Sequence, residues 1–319
     1  MEDTNTSGGS LSAALVKQAA RAVGFDACGI AEARPLAEED FGLDAWLALG
    51  CHADMRYMAE HRDLRHDPRL LVPGARSVVS LLLGYKPSQQ LSATPRIAQY
   101  AYGEDYHERV KRMLYQLIAA VREVRPDFDA RPFVDTAPIS DKLWASRAGL
   151  GWIGRNTLLV NPELGSYCFI GELVTSAAFD HYDTPMPNGC GTCRRCLAAC
   201  PNHALVEEDG MSVDNPRTHL SAPRCASYHT IENRSAQLPA DIKLSGYAFG
   251  CDCCQLVCPY NRTAVVRYQI TEEHLRQLEN LTEAEEAEFK HFVRHSAMNR
   301  IKYPQWQRNV KKLFEKSCN

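Results

Sequence analysis

Eight cysteines in the second half of the chain have the spacing of iron–sulfur ligands. The first group follows the pattern C-x2-C-x2-C-x3-C-P, and the second is a lone cysteine followed later by C-x2-C-x3-C-P. Three cysteines spaced in this way wrap one cubane, and the cysteine before proline reaches the neighbouring cluster. The spacing therefore predicts two 4Fe–4S clusters and single-electron chemistry, in a redox enzyme or an electron carrier. Cluster one takes Cys190, Cys193, Cys196 and Cys258, and cluster two takes Cys200, Cys225, Cys251 and Cys254.

Zinc sites and disulfide bonds are the alternative uses of these cysteines. Pairs with the spacing C-x2-C also bind zinc, although a zinc site needs only four thiolates and rarely uses the longer run. The polar start of the chain, MEDTNTSGGS, lacks the apolar segment of a signal peptide. An intracellular chain with reduced thiols is therefore expected. Cys253 lies between two proposed ligands and does not fit the spacing.

The composition is that of a globular protein whose charge is unevenly distributed. Of the 319 residues, 45% are hydrophobic and 24% are charged. No stretch approaches the roughly 18–20 apolar residues of a membrane-spanning helix, so no membrane association is expected. Residues 272–288 contain seven Glu, whereas residues 290–316 contain eight Lys or Arg interleaved with aromatic residues. The basic segment is either a surface for a phosphate backbone or an ordinary solvated helix face.

The elements that must position these groups follow from the pattern of apolar residues. An α/β region is expected to about residue 180, then a cluster domain over about 185–262, then helices. The run 77–85 is apolar throughout, which is typical of a strand buried on both faces. The chain has no glycine-rich dinucleotide fingerprint and no P-loop. Helices are expected at 11–23, 36–49, 54–61, 105–125 and 138–149, and strands at 25–31, 77–85, 131–136, 157–160 and 167–175.

Asp135 is the candidate acid of the α/β region. It stands at the end of a predicted strand and before a predicted helix that has Pro138 in its first turn. One interpretation is that Asp135 or Thr136 caps this helix. The other is a carboxyl group at the carboxyl end of a strand, where α/β folds bind ligands. In an apolar cavity its pKa would be raised by burial, and it could then donate a proton.

Several longer segments of the chain occur in an order that matches one known family. They are RHDPRLLVPGARSVV (65–79), GEDYH (103–107), VDTAP (134–138), AGLGWIGRNTLL (148–159), NPELGSYCFIGELVT (161–175), CASYHTIENR (225–234) and GCDCCQLVCPYN (250–261). Together with the first cysteine run, they closely resemble the epoxyqueuosine reductase family over about residues 10–316. Members of that family are similar to reductive dehalogenases in carrying a cobalamin and two 4Fe–4S clusters. They perform the last step of queuosine biosynthesis, in which the epoxide of the wobble base of tRNA becomes a cyclopentene.

The resemblance implies an α+β fold in three parts. An α/β cobalamin-binding catalytic domain is expected in residues 1–182, a bacterial-ferredoxin-like domain with two 4Fe–4S clusters in 183–264, and a short helical segment that contacts tRNA in 265–319. An external low-potential donor would supply electrons through the clusters to cobalamin. Asp135 resembles the proton donor of the family, beside the cobalamin. The other expected cobalamin contacts are Arg65, Asn156, Ser227 and Asp252. The expected tRNA contacts are Arg300, Lys302, Arg308, Lys311 and Lys312.

The chain departs from the family pattern at a few positions, and two other functions compete with the resemblance. Asp141 and Lys142 stand where many members have Glu-Arg, and Arg155 stands where Lys is commoner. Many members also continue into C-terminal helical repeats, whereas this sequence ends at residue 319. A cobalamin-dependent dehalogenase would usually carry a twin-arginine export signal, and a plain electron carrier would not need a domain of 180 residues. A cytoplasmic, monomeric tRNA-modifying enzyme is therefore expected.

Overall fold

The structure, a computed structural model, describes residues 10–37, 42–208 and 217–315. Its helices are α1 (Ala13–Val23), α2 (Leu43–Ala48), α3 (Arg62–His66), α4 (Pro68–Leu71), α5 (Tyr106–Val124), α6 (Asp141–Arg147), α7 (Arg195–Ala199), α8 (Ala226–Ile231), α9 (Cys253–Leu256), α10 (Pro259–Thr263), α11 (Glu272–Asn280), α12 (Glu286–Val293) and α13 (Tyr303–Phe314). Its strands are β1 (Ala27–Glu32), β2 (Ser77–Gly84), β3 (Arg96–Ile97), β4 (Ala130–Phe133), β5 (Trp152–Ile153), β6 (Leu159–Val160), β7 (Cys168–Thr175), β8 (Leu205–Glu207), β9 (Thr218–Leu220) and β10 (Tyr247–Phe249). Short 3-10 turns lie at Arg56–Met58, Gln99–Ala101, Ala222–Arg224 and Ala297–Arg300.

A four-stranded antiparallel sheet forms the centre of the N-terminal half. Its strand order is β1-β2-β7-β4, and every neighbouring pair of strands is antiparallel. Strand β2 is buried along its whole length, as its unbroken apolar sequence predicts. The mixture of this sheet with separate helices confirms the α+β fold class. The sequence interpretation placed Asp135 at the end of a strand in a parallel sheet, as in α/β ligand sites. This part of the interpretation is wrong, because β4 pairs antiparallel with β7.

Helices cover both faces of the sheet and so create two cores. On one face, α1 and α5 pack on Leu173 of β7, with Leu114 of α5 in the same core. On the other face, α6 packs through Trp144 on Val174. The neighbours Leu173 and Val174 belong to different cores because successive side chains of a strand point to opposite faces.

The C-terminal helices share a core with the middle of the chain. Phe289 of α12 and Trp306 of α13 pack with Ile97 of β3 and Phe249 of β10. Strands β3 and β10 also pair with each other in parallel. This core therefore joins the C-terminal helices to the N-terminal and cluster halves, while the three domain boundaries given above stay a prediction.

The long elements lie where the sequence predicts them, and the short ones shift. Helix α5 and strand β7 agree with the predicted ranges to within one residue at each end. Helix α6 begins at Asp141, so the placing of Pro138 in its first turn is wrong. The predicted helix 36–49 is reduced to α2, and residues 38–41 lie outside the described residues. None of the described helices combines the length and the apolar character needed to cross a bilayer.

Candidate active site

Asp135 lies in a tight turn between β4 and α6. Its backbone φ is +47°, a left-handed conformation that costs energy for a residue with a side chain. Across this turn the amide of Thr136 donates to the carbonyl of Val134. The N-cap of α6 is Ser140, so the interpretation of Asp135 or Thr136 as a helix cap is wrong. The Asp135 side chain is instead 57% exposed, and its strained backbone is typical of a functional site.

Two ring side chains from the start of α5 hold the Asp135 carboxylate. The Tyr106 hydroxyl donates to Oδ2 at 2.5 Å, and Nε2 of His107 lies 3.4 Å from the same oxygen. The other ring nitrogen of His107, Nδ1, lies 2.6 Å from Oδ1 of Asp105. Asp105 also caps α5 by accepting from the His107 amide at 2.9 Å. Asp105, His107 and Asp135 therefore form a carboxylate–imidazole–carboxylate chain along which a proton can move.

These contacts decide where the proton of the chain resides. Hydrogen bonds from His107 and Tyr106 lower the pKa of Asp135 and outweigh the opposing effect of burial. Burial disfavours the charged imidazole, but hydrogen bonds to Asp135 and Asp105 raise the pKa of His107. The net pKa of Asp135 is therefore lowered, and the expectation of a raised pKa is wrong for this structure. In this structure the proton is held by His107 in preference to Asp135.

A second carboxyl group, Asp141 at the start of α6, shifts in the opposite direction. Burial and the charge of Asp135 raise the pKa of Asp141 to about 6, although Lys142 and Arg65 oppose this. Two neighbouring carboxyl groups do not ionise independently, so the one with more hydrogen-bond donors ionises first. Asp141 is thus the carboxyl group that holds a proton to higher pH. The side chains of Arg65, Tyr106, His107, Asp135 and Asp141 are called the Asp135 site below.

Two buried donors near this site have no hydrogen-bond partner among the described residues. They are Nε of Arg65 and Nδ2 of Asn156. Arg65 otherwise donates through Nη2 to the Tyr57 carbonyl at 3.3 Å. The loop of Asn156 is joined to α6 because Lys142 donates to the Thr157 carbonyl at 2.9 Å. An unpaired buried donor costs about 1–3 kcal/mol, so the two groups fit a polar ligand that accepts from both.

Asp252 and Ser227, the other two expected cobalamin contacts, lie in the cluster half. Asp252 is buried, and its oxygens accept from the Gln99 amide at 2.8 Å and from Nε2 of Gln255 at 3.3 Å. It therefore fixes the 3-10 turn of Tyr100, whose ring lies 6.2 Å from that of Tyr106. Ser227 is half-buried in the first turn of α8. Asp252 consequently has a structural role, and Ser227 remains available to a ligand.

The glycine-rich turn 149–156 brings the chain close to itself and to a cluster ligand. Gly151 has a φ of +156°, and a side chain there would collide with the Val160 carbonyl. A Cβ on Gly154 would lie 3.6 Å from Sγ of Cys190. The turn thus places the loop of Asn156 beside Cys190, a predicted ligand of cluster one.

The eight predicted ligands gather in the cluster half, and each is partly buried. Burial raises the pKa of the Cys258 thiol, and the nearby Cys190 and Cys193 raise it further. Burial likewise raises the pKa of Cys254, and Cys225 adds to the effect. Cys196 and Cys200 also raise the pKa of Cys254, so the thiols of both predicted clusters lie close together and their division into two ligand sets stays a prediction. Among the described residues, no three such ligands converge on the position of a single metal ion.

Two family models match this chain. One covers part of the N-terminal half and the other covers the cluster half. A model described as "Epoxyqueuosine reductase QueG, DUF1730" matches residues 65–136, and a "4Fe-4S double cluster binding domain" matches residues 189–261. An epoxyqueuosine reductase of Leadbetterella byssophila is 41% identical over 303 residues, which cover 92% of this chain and 96% of the relative. The chain belongs to the epoxyqueuosine reductase family. The resemblance seen in the sequence is confirmed, and the double-cluster match favours iron–sulfur clusters over zinc.

Further members of the epoxyqueuosine reductase family extend the comparison. The epoxyqueuosine reductase of Vibrio cholerae is 37% identical and covers 92% of this chain and 80% of the relative. The structure of the Streptococcus thermophilus enzyme matches with a TM-score of 0.81 at 27% identity, over 93% of this chain and 79% of the other. An epoxyqueuosine reductase structure with an epoxyqueuosine-modified tRNA-Tyr stem loop matches with a TM-score of 0.77 at 28% identity, over the same shares.

Arg308 was expected to contact tRNA, but in this structure its guanidinium binds backbone carbonyls of the protein. Its guanidinium donates to the carbonyls of Asn233 at 2.9 Å, Ser235 at 2.5 Å and His229 at 2.8 Å. Burial lowers the pKa of Arg308, and the neighbouring Arg234 adds to this effect. A guanidinium occupied in this way ties α13 to the segment after α8 and is not free for a phosphate.

The other four basic residues are more accessible. Lys302 and Lys311 are exposed on the C-terminal helices, and Lys312 donates to the Ala240 carbonyl at 3.2 Å. Arg300 forms a two-point contact with Glu232, at 3.0 Å and 2.9 Å. The Arg300 guanidinium also lies 6.0 Å from the Tyr57 ring, so it stands near the Asp135 site.

Sequence reasoning overlooked three residues of this region. Glu172 lies within the predicted strand 167–175. A single charged residue in this apolar run was the feature that could have indicated a special role. Glu232 lies in the matched segment 225–234, but nothing local indicates its pairing with Arg300. The role of His107 depends on contacts with both Asp105 and Asp135, and only the first of these is close in the sequence.

Proposed function

We propose that this chain reduces epoxyqueuosine to queuosine at the wobble position of tRNA, the last step of queuosine biosynthesis. The observation that carries the proposal is the Asp135 turn, in which a strained acidic residue contacts a proton-holding imidazole. Membership of the epoxyqueuosine reductase family supports the reaction. The related structure with a modified tRNA stem loop supports the substrate.

The residues of the Asp135 site can manage the proton that the reaction needs first. Removal of an epoxide oxygen as water consumes two electrons and two protons, and hydroxide leaves poorly unless the oxygen is protonated. Asp135 can take a proton from Nε2 of His107 and present it on Oδ2 to the epoxide oxygen. The Tyr106 hydroxyl orients Oδ2 of Asp135, and Asp105 stabilises the charged form of His107.

Cobalamin is the proposed large cofactor of the site, with the clusters as its electron source. Arg65 and Asn156 would hold it through their unpaired donors, and Ser227 would approach from the cluster half. When bound, cobalamin supplies a strongly reducing cobalt centre. Two 4Fe–4S clusters, held by the eight cysteines assigned above, would receive electrons one at a time from an external low-potential donor. Asp252, whose oxygens already accept from Gln99 and Gln255, would border the cofactor from the cluster half.

The proposed tRNA surface consists of Arg300, Lys302, Lys311 and Lys312. Exposed cations of this kind bind phosphates without reading sequence, and Arg300 is the one nearest to the Asp135 site. Arg308 is left out of this surface because backbone carbonyls occupy its guanidinium. A tRNA substrate implies a cytoplasmic enzyme, and we keep the expectation of a monomer.

Anaerobic reconstitution tests this function. Protein loaded with iron, sulfide and cobalamin should contain about eight irons per chain, absorb as a corrin, and convert epoxyqueuosine in tRNA to queuosine under a low-potential reductant. Mass analysis of the tRNA nucleosides measures the product. Asp135→Asn should keep iron and corrin and lose turnover. An iron content of about four per chain or fewer, or loaded protein that leaves epoxyqueuosine intact, would refute the proposal.

A further inference from the structure

Arg155 carries a buried guanidinium near the end of the glycine-rich turn 149–156. Its side chain is 6% exposed. Nη1 donates to Oε1 of Glu207 at 2.5 Å, and Nη2 donates to the Gly191 carbonyl at 3.0 Å. Gly191 directly follows Cys190, a proposed ligand of cluster one. Arg155 therefore joins the glycine-rich turn to the loop that carries the cluster-one ligands.

Further contacts hold the glycine-rich turn against the same loop. Nδ2 of Asn188 donates to the Ile153 carbonyl at 3.1 Å, and Oδ1 of Asn188 accepts from the Cys190 amide at 2.9 Å. A Cβ on Gly154 would lie 3.6 Å from Sγ of Cys190. The residues on either side of Arg155 and Cys190 are thus in contact, and the guanidinium is fixed next to a proposed ligand.

The charges around Arg155 leave an excess of positive charge. Glu207 lies between two guanidiniums, because Nε of Arg194 is 3.2 Å from the same Oε1. The Arg194 side chain is 68% exposed, so salt and water screen its charge, whereas a buried charge such as that of Arg155 is screened much less. Nε of Arg155 has no hydrogen-bond partner among the described residues. This buried, unpaired donor fits a nearby acceptor such as a sulfur of a bound cluster.

We propose that the buried guanidinium of Arg155 raises the reduction potential of cluster one. The inference rests on the proposed function, because it assumes the two proposed clusters. In the reduction step the external donor loses one electron and cluster one gains it, and no bond forms or breaks. The electron adds a negative charge to a site already held by thiolates. The guanidinium of Arg155 attracts this charge and so stabilises the reduced form.

The size of the effect follows from the strength of one buried charge. At an effective dielectric constant of about 20, two unit charges about 10 Å apart interact strongly enough to change a one-electron equilibrium about tenfold. Loss of the guanidinium should therefore make reduction of cluster one about tenfold less favourable. For a one-electron couple this change is a fall of about 59 mV in the midpoint potential.

Arg155→Met in the anaerobically reconstituted protein tests the inference by potentiometric titration with paramagnetic resonance. We expect the iron content of the unmodified protein, one midpoint potential lowered by about 59 mV, and the other midpoint unchanged. Arg155→Lys keeps the positive charge and should restore most of the potential. Arg194→Met removes the exposed partner of the same carboxylate and should cause less than half of the shift.

Glu207→Gln supplies the opposite perturbation and covers the case in which Arg155→Met disturbs the loop. The Glu207 side chain is 29% exposed, and the substitution removes the negative charge beside Arg155. The same midpoint should then rise. A purely structural role for Arg155 predicts loss of iron or of stability, with no change of sign between the two variants.

Three results would overturn the inference while leaving the reductase function intact. They are unchanged midpoints in both Arg155→Met and Glu207→Gln, equal movement of both midpoints in Arg155→Met, and a shift in Arg194→Met as large as that in Arg155→Met. An unmodified protein that holds about four irons or fewer per chain would instead refute the proposed function itself, since two cubanes need about eight.

Discussion

Arg308→Met is the substitution that best tests how the C-terminal helices are used. The change keeps much of the apolar stem of the side chain and removes the guanidinium. Three hydrogen bonds to the carbonyls of Asn233, Ser235 and His229 are then lost. At about 0.5–1.5 kcal/mol for each bond, we expect the free energy of unfolding to fall by about 1.5–4.5 kcal/mol. For a chain of 319 residues the melting temperature should drop by roughly 2–7 °C.

Lys311→Met on the same helix is the matched control. Lys311 is exposed, so its loss should change the free energy of unfolding by no more than about 0.5 kcal/mol. Its loss should instead weaken tRNA binding and reduce the slope of log affinity against log salt by about 0.7–0.9. Arg308→Met, measured below its melting temperature, should keep the salt slope of the unmodified protein.

Thermal unfolding and tRNA binding at several salt concentrations distinguish the two roles directly. An Arg308→Met protein that melts normally but loses a phosphate contact would refute the structural role. It would also restore Arg308 to the tRNA surface.

Three further predictions concern the acids and the thiols. His107→Gln should lower turnover by about 100-fold while tRNA binding is kept, and an unchanged rate would exclude His107 as the proton source of Asp135. Cys253→Ser should leave both clusters intact by iron counting and paramagnetic resonance, whereas Cys254→Ser should lose iron. Because burial raises the pKa of Glu172, the folded chain binds a proton that the unfolded chain releases. The stability from this proton is complete below the ordinary pKa of Glu and is lost as pH rises toward the folded pKa. Glu172→Gln should therefore flatten the fall of melting temperature that begins as pH rises above the ordinary pKa of Glu.

Much of the fold follows from local patterns. Helix α5 and strands β2 and β7 are long and have a clear apolar pattern, so their ends lie within one or two residues of the predicted ends. Helix α6 is short, and its start depends on the turn that precedes it. Pro138 looked like a first-turn residue, but the chain needs residues 134–139 to leave β4 and reach the sheet face that Trp144 covers.

The amino-acid sequence by itself determined the family and predicted the cluster ligands, because cysteine spacing and the long motifs are properties of neighbouring residues. Only the tertiary structure decided which acid holds a proton and which cation is free. The pKa of Asp135 depends on His107, and the role of Arg308 depends on carbonyls more than 70 positions away. The raised pKa of Glu172 depends on burial beneath α6. Each of these is set by distances in space and by exclusion of water, and neither quantity can be read from the order of residues.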